Sequence, residues 1–374
     1  MDNYCFGIPK SSEYEFDKAN FVLPGEIEEK YIESKDEKFI YVDAKCPVFE
    51  IGGILHPDKN QNEYFRLDAS QKDKYTDAHK WLGQSTAGGC LRFYTDAKAV
   101  ALKVVYRGCV LGMHHFCDRG VYGFDMHTGT GTDRRYAGKA MQTFAENPNE
   151  NCQVLELYGS AVELMINFPL YGGIQKLSIG LPADCFVSKP SPRKYLPVAF
   201  YGSSITQGGC VSRPGNIYSN LLCRALDCDN INLGFSGSAF GETYAADFLG
   251  TREISCFVMD YDYNSPTAQT LADTHLPFYE AFRKGQPDVP VVFVSHPCYG
   301  EPSAEGIKRR DIIKATYDVA LSRGDKVYFV DGNEFFPQPY RDLFSVDNLH
   351  PNDLGNYYMA KAIWPKLAEA LGVK

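Results

Sequence analysis

Residues 196–208 read Leu196-Pro197-Val198-Ala199-Phe200-Tyr201-Gly202-Ser203-Ser204-Ile205-Thr206-Gln207-Gly208. The first six form an apolar run of the length of a buried strand. A loop follows, then a helical pattern with Ile217, Leu221, Leu222 and Ala225 at roughly helical spacing. A strand, a glycine-flanked serine, a loop and a helix together lift a hydroxyl to the carboxyl edge of a parallel sheet. Open α/β folds keep their ligand crevice at that edge. The glycines let the backbone turn sharply and leave room above Ser204. Alone, the same residues also describe an ordinary strand-to-helix turn, so the rest of the chain must decide.

Downstream, apolar strands at 198–201, 231–233, 256–259, 291–295 and 327–330 alternate with helical stretches at 216–226, 267–284, 304–323 and 354–371. That alternation predicts a five-stranded parallel sheet covered on both faces, an α/β domain over 195–374. Upstream, 39–181 has β texture, with short runs at 39–42, 64–67, 91–94, 99–106, 154–158, 163–168 and 174–179 separated by glycine-rich or charged turns. This predicts an antiparallel β-sandwich, jelly-roll-like, over 36–187. Residues 188–194, with Pro190 and Pro192, form a short stiff linker. Residues 1–35 are polar and acidic, an arm on the body of the protein or a partly disordered one.

A chain of 374 residues can hold two cores, and its 44% apolar and 23% charged residues are ordinary for a globular protein. A net charge of −9 and a pI near 5.5 argue against nucleic acid or an anionic membrane as partner. A neutral or weakly polar small substrate fits better. Tyrosine and phenylalanine, 25 and 24 in number, suit an aromatic-lined sugar site as well as a sandwich core. The start, Met1-Asp2-Asn3-Tyr4-Cys5, carries no basic region ahead of an apolar stretch, and no apolar run is long enough to span a bilayer. The twelve cysteines are scattered without a CxxC pair or zinc-like spacing, as expected of reduced thiols in a cytoplasmic protein.

Three further blocks bear on Ser204. Asp347-Asn348-Leu349-His350-Pro351 precedes the last helical stretch. A serine nucleophile needs a base and a carboxylate that fixes the base's tautomer, and an Asp three residues before a His can supply both. The same loop could instead be a helix entry capped by Asn352 or Asp353. Gly234-Phe235-Ser236-Gly237 follows the second strand and Asp260-Tyr261-Asp262-Tyr263-Asn264 the third. The backbone N–H groups of Ser204 and Gly237 and the amide of Asn264 would form a donor pocket for an acyl oxyanion. Otherwise Gly237 is a turn glycine and Asn264 caps the helix beginning near Thr267.

The blocks GSSITQG, NLGFSG, DYDYN and DNLHP, in this order and each after its strand, resemble the SGNH (GDSL) hydrolase superfamily across 195–374. The resemblance implies a three-layer α/β/α fold with Ser204 as nucleophile, Asp347 and His350 completing a triad, and Gly237 and Asn264 as oxyanion donors. Ser203 stands where the family pattern has Asp, and Tyr261-Asp262-Tyr263-Asn264 where it has Gly-x-Asn-Asp. The upstream half is similar to the subgroup with an N-terminal β-sandwich. Gly123-Phe124-Asp125-Met126-His127 resembles its Gly-x-Asp-Leu-Tyr signature, and Tyr64-Phe65-Arg66-Leu67 and Phe168-Pro169-Leu170-Tyr171 resemble its strands. Such proteins resemble carbohydrate O-acetylesterases.

Other residues carry weaker signals. His114-His115 with Cys117 and Asp118 is not read as a metal site, because adjacent histidines in a strand point to opposite faces. His275, within an amphipathic helix, is read as structural, as is Asp125. Tyr261, Tyr263, His296 and Tyr299 are candidates for lining the substrate pocket. No cysteine nucleophile is expected, at Cys210, Cys298 or elsewhere, and neither is a metal or organic cofactor. The expected function is a serine esterase that removes O-acetyl groups from acetylated plant oligosaccharides such as mannan or xylan fragments. Its pH dependence would follow a histidine base with an ordinary pKa of about 6.5. The alternatives are a lipid or thioester acylhydrolase and a catalytically inactive carbohydrate-binding protein. A homo-oligomer stays open.

Overall fold

Ahead of Pro190 the period-two runs pair as antiparallel strands. The computed structural model describes residues 14–107, 114–140, 150–158 and 161–373. In it the runs become β1 (Ile32–Lys35), β2 (Ile40–Asp43), β3 (Glu50–Gly52), β4 (Cys90–Thr95), β5 (Ala99–Tyr106), β6 (Phe124–Thr128), β7 (Arg135–Ala140), β8 (Glu150–Glu156), β9 (Val162–Asn167), β10 (Ile174–Leu181) and β11 (Val187–Ser188). They form two sheets, ordered β1-β2-β10-β5-β8 and β11-β4-β9-β6-β7, with β3 paired to β4. Val100, Leu102 and Val104 of β5 meet Leu91, Phe93, Leu164 and Ile166 of the second sheet in one core. Every second residue faces inward, the pattern of a sheet with one face covered. Short helices α1 (Asp77–Leu82) and α2 (Asp118–Val121) sit in the connections.

Two expected strands are loops. Residues 64–67 lie at the junction of the two halves, where side chains replace ladder partners: Asn60 Nδ2 donates to Phe65 O (3.1 Å) and Leu67 O (3.0 Å). Residues 168–171 contain Pro169, which has no N–H to pair. Their carbonyls are taken by Thr86, Ser85 and Gln207 side chains. The expected N-terminal arm lies on the sandwich from residue 14, with the Phe16 ring stacked on Tyr94 at 3.6 Å, and its end becomes the edge strand β1. Residues 1–13 of that arm lie outside the described residues.

The second half runs β12 (Val198–Gly202), α3 (Ser204–Gln207), α4 (Tyr218–Leu226), β13 (Asn230–Gly234), α5 (Thr243–Gly250), β14 (Cys256–Asp260), α6 (Ala268–Gly285), β15 (Val291–Val294), α7 (Ala304–Ser322), β16 (Val327–Val330) and α8 (Asp353–Leu371). Its five parallel strands are ordered β13-β12-β14-β15-β16. Ala199 and Tyr201 face α5, α6 and α7, whereas Val198 and Phe200 face α4 and α8. The chain leaves β12 for β13 on one side and returns to β14 on the other. Ser204 therefore sits at the point where strand order reverses, the ligand-binding position of open α/β sheets. No helix among the described residues is long and apolar enough to cross a membrane.

The two halves are joined by buried polar contacts. Arg66, 2% exposed, donates to Asn232 O (3.0 Å), Gly234 O (2.6 Å) and Leu82 O (2.8 Å). Arg134 bridges Glu163 and Asp227, each at 2.6 Å. The Asp125 carboxylate accepts from Asn167 Nδ2 (2.6 Å), Arg213 Nη1 (2.5 Å) and Gly215 N (2.8 Å), which pins the loop after α3 to the sandwich.

Candidate active site

Gly202 ends β12, and Ser203 caps the single turn of α3 by accepting from Ile205 N at 3.2 Å. Serine thus fills a capping position that suits short polar oxygens, Asp and Ser alike. Gly208, at φ +106°, closes the turn, with the N–H groups of Gly208 and Gly209 both donated to Ser204 O. A side chain at Gly234 would run into the backbone of Gln207, so glycine there lets the β13 loop lie against the turn. Buried Gln207 ties both halves to it: Nε2 donates to Leu170 O (3.1 Å) and Oε1 accepts from Ser236 N (3.0 Å). Behind the turn, the Asp260 carboxylate accepts from Thr206 Oγ1 (3.0 Å) and Tyr218 Oη (2.7 Å). Burial pushes this carboxyl up to about 7, against the pull of the same hydrogen bonds. Sequence reasoning gave no role to Gln207 or Asp260, although polar residues beside a strand end are a signal of such bracing.

Ser204, His350 and Asp347 meet in one hydrogen-bonded chain. Ser204 Oγ lies 2.8 Å from His350 Nε2, and His350 Nδ1 lies 2.7 Å from Asp347 Oδ2. Asp347 Oδ1 accepts from His350 N (2.7 Å) and Leu349 N (3.0 Å), a local loop that Asn348 completes at φ +65°. Partial burial works to raise the Asp347 carboxyl. The hydrogen bonds and charge of His350 outweigh it and hold the group below the usual carboxylate range. The cap of α8 is Asn352, which accepts from Gly355 N, so Asp347 is not spent on the helix.

The loops after β13 and β14 flank Ser204 because their strands flank β12. Gly237 adopts φ +67° with open space over its Cα. Asn264 Oδ1 accepts from Ala239 N at 3.2 Å, which turns the amide so that Nδ2 remains to donate. The cap of α6 is Thr267. Arg309 of α7 holds the Asn264 loop by donating to Asp262 O (2.6 Å) and Ser265 O (2.9 Å). The arrangement offers an alcohol paired to an imidazole–carboxylate couple, with amide donors on loops at either side.

A family model described as GDSL-like lipase/acylhydrolase matches residues 195–368, and one for the N-terminus of SGNH hydrolase-type esterases (GxDLY) matches 39–187. The chain is a two-domain SGNH (GDSL) hydrolase. It is thereby a carboxylic ester hydrolase. Among solved structures, the SGNH hydrolase is similar to a protein described as a GDSL-like lipase from Bacteroides ovatus ATCC 8483, at 24% identity and a TM-score of 0.79 over 90% of this chain and 99% of that one. It is also similar to the salicylyl-acyltransferase SsfX3 from a tetracycline biosynthetic pathway (16%, TM-score 0.72, 91% and 99%). A third similar structure is a family two carbohydrate esterase from Cellvibrio japonicus (12%, TM-score 0.59, 90% and 98%). No curated protein sequence matches the chain.

In this SGNH hydrolase a recess of about 280 Å³ opens beside the Asp347–His350 loop, lined by Tyr263, His296, Tyr299, Glu301, Arg310 and Asn333 among others. Tyr263, 46% exposed, stacks on the His296 ring at 3.7 Å. Burial, helped by His350 and Arg309, pushes the His296 imidazole down to about 3, so it is neutral. The Tyr299 hydroxyl is buried, with no hydrogen-bond partner among the described residues. Tyr261 does not join them. It is 1% exposed and packs among Tyr201, His275 and Phe278 under α6, with its hydroxyl near Thr274. Its position continues the inward alternation of Phe257 and Met259.

His275 is structural, its Nδ1 2.8 Å from Thr316 Oγ1. His114 and His115 lie in a turn ahead of α2, not in a strand, and sequence reasoning missed what that turn does. It carries His115 to within 4.0 Å (Nε2) of Asp347 Oδ2, with its ring 5.4 Å from that of His350, and Phe116 packs beside the same imidazole. Cys298 lines the recess. Cys210 lies near His350, and burial, with Asp347 nearby, pushes its thiol up to about 12. The ten cysteines among the described residues are all unpaired.

Proposed function

We propose that this hydrolase is a serine esterase that removes O-acetyl groups from carbohydrate, acetylated oligosaccharides such as mannan or xylan fragments. Ser204 Oγ attacks the acetyl carbonyl while His350 Nε2 takes its proton, and Asp347 holds the imidazole tautomer and balances the imidazolium. The oxyanion accepts from the N–H groups of Ser204 and Gly237 and from Asn264 Nδ2. His350 returns its proton to the sugar oxygen as the C–O bond breaks, leaving acetyl-Ser204. A water, deprotonated by His350, then adds to the acetyl group and expels Ser204, releasing acetate. No step requires a metal or organic cofactor.

The observation that carries this reading is the Ser204–His350–Asp347 chain, 2.8 and 2.7 Å long. A binding protein that had lost catalysis has no use for that alignment. The recess beside it mixes aromatic rings with Glu301, Arg310 and Asn333, which suits hydroxyl-rich groups better than a long acyl chain. The similarity to a carbohydrate esterase points the same way. The test is acetate release from acetylated xylan, mannan, pectin and simple sugars, with acetyl and octanoyl p-nitrophenyl esters alongside. Release from a glycan and preference for acetyl are expected. Octanoyl preference without glycan deacetylation would favour the lipid or thioester reading and refute this one.

A further inference from the structure

We propose that His115, Cys210 and His350 form a soft divalent-metal site at which Zn²⁺ binds and shuts the enzyme off. Each donor comes from a different segment: the turn ahead of α2 in the sandwich, the loop after α3, and the loop before α8. Their ligand atoms all lie within 4.8 Å of one another. Two imidazole nitrogens and a sulfur are donors that zinc prefers. Tetrahedral zinc holds such atoms about 3.3–3.6 Å apart, so closure asks for about 1 Å of movement. His115, on a turn and with its side chain 35% exposed, can supply that movement.

Two further observations support the site. Asp347 occupies His350 Nδ1, so a metal would take Nε2 in place of its hydrogen bond to Ser204 Oγ, with a carboxylate behind the ring. That carboxylate–histidine arrangement is the one metal-ligating histidines use. Cys210 adopts φ +69°, a left-handed conformation that costs a residue with a Cβ, and its thiol is within this cluster. On binding, two Zn–N bonds and one Zn–S bond form, and the thiol proton leaves to solvent. Water or Ser204 Oγ completes the tetrahedron. The lone pair of His350 Nε2 is then engaged by the metal, the Ser204–His350 hydrogen bond breaks, and the base is lost.

Inhibition rests on the proposed esterase function, whereas binding does not, so both are measured. Calorimetry with ZnCl₂ on the full chain is expected to give one ion per chain, with affinity weakened at least about tenfold in His115→Ala and in Cys210→Ser. Co²⁺ in place of Zn²⁺ is expected to give a thiolate charge-transfer absorption that Cys210→Ser lacks, with Cys210→Ala as a second variant should the first fold poorly. The ratio of p-nitrophenyl acetate hydrolysis with and without ZnCl₂ should fall in the wild type, recover with EDTA, and respond less in both variants. No stoichiometric binding, or equal affinity and equal absorption in wild type and variants, would overturn the site. Binding with these signatures in a wild type that hydrolyses no ester would leave the site standing and sink the esterase reading.

Discussion

The two halves of this molecule treat polar groups in opposite ways. In the parallel-sheet half, Ser204, Gly237, Asn264, Asp347 and His350 stand at loops on the carboxyl edge, with Asp347 bracing His350 and His350 paired to the Ser204 hydroxyl that faces a reacting group. In the sandwich, polar residues such as Arg66, Arg134 and Asp125 are buried and spent on protein partners. In the proposed mechanism one half holds the chemistry and the other holds its loops still. The contrast teaches that precision at a site can come from a neighbouring domain that contributes no reacting atom.

That contrast can be broken or sharpened in order of expected effect. Ser204→Ala or His350→Ala should cut hydrolysis of p-nitrophenyl acetate by about 10⁴-fold or more with folding intact. Wild-type-like turnover by either would leave the edge without its assigned chemistry. Asp125→Ala removes a buried carboxylate that three donors share, and Arg213, partly exposed, can recover some hydration. A loss on the order of 3 kcal/mol in urea unfolding is expected, with reduced kcat, because the loop after α3 loses its anchor. Unchanged stability and kcat would mean the sandwich is not a brace.

Asp260 sharpens the comparison from inside the catalytic half. Its folded pKa, about 7, lies above the ordinary 3.8, so the native state keeps a proton that the unfolded chain releases. The stability it contributes is fully present below about 3.8 and is lost as pH rises through about 7. Asp260→Asn, which keeps an acceptor for Tyr218, should flatten the slope of unfolding free energy in that window. Identical slopes in variant and wild type would refute it. The smallest effect separates two tyrosines. Tyr263→Ala should raise KM for a glycan ester several-fold, about 1 kcal/mol of lost ring contact, whereas Tyr261→Phe should leave KM alone. A KM change for Tyr261→Phe as large as that for Tyr263→Ala would put the recess in the wrong place.

The five strands, the helix positions and the candidacy of Ser204, His350 and Asp347 were legible because each lies within one strand–loop–helix unit whose pattern is local; the strand order β13-β12-β14-β15-β16 was not read from the sequence. Tyr261 was misread despite a local signal: it shares the parity of Phe257 and Met259, which face α6. Residues 64–67 read as a strand because their apolar pattern is that of a strand. Arg66 is instead consumed by carbonyls far away in sequence, and nothing local announces that. The approach of His115 to Asp347 was invisible for the same reason, since it depends on docking two domains. Gln207 and Asp260 fall between these cases. They lie next to recognised blocks, but their partners lie on other elements.

The most direct test of the central claim is to trap the nucleophile. Treatment with diethyl p-nitrophenyl phosphate, followed by peptide mass spectrometry, is expected to place one phosphoryl adduct on Ser204, with activity lost in step and no adduct in Ser204→Ala. An adduct on another residue that tracks the loss of activity, with Ser204 unmodified, would contradict the account.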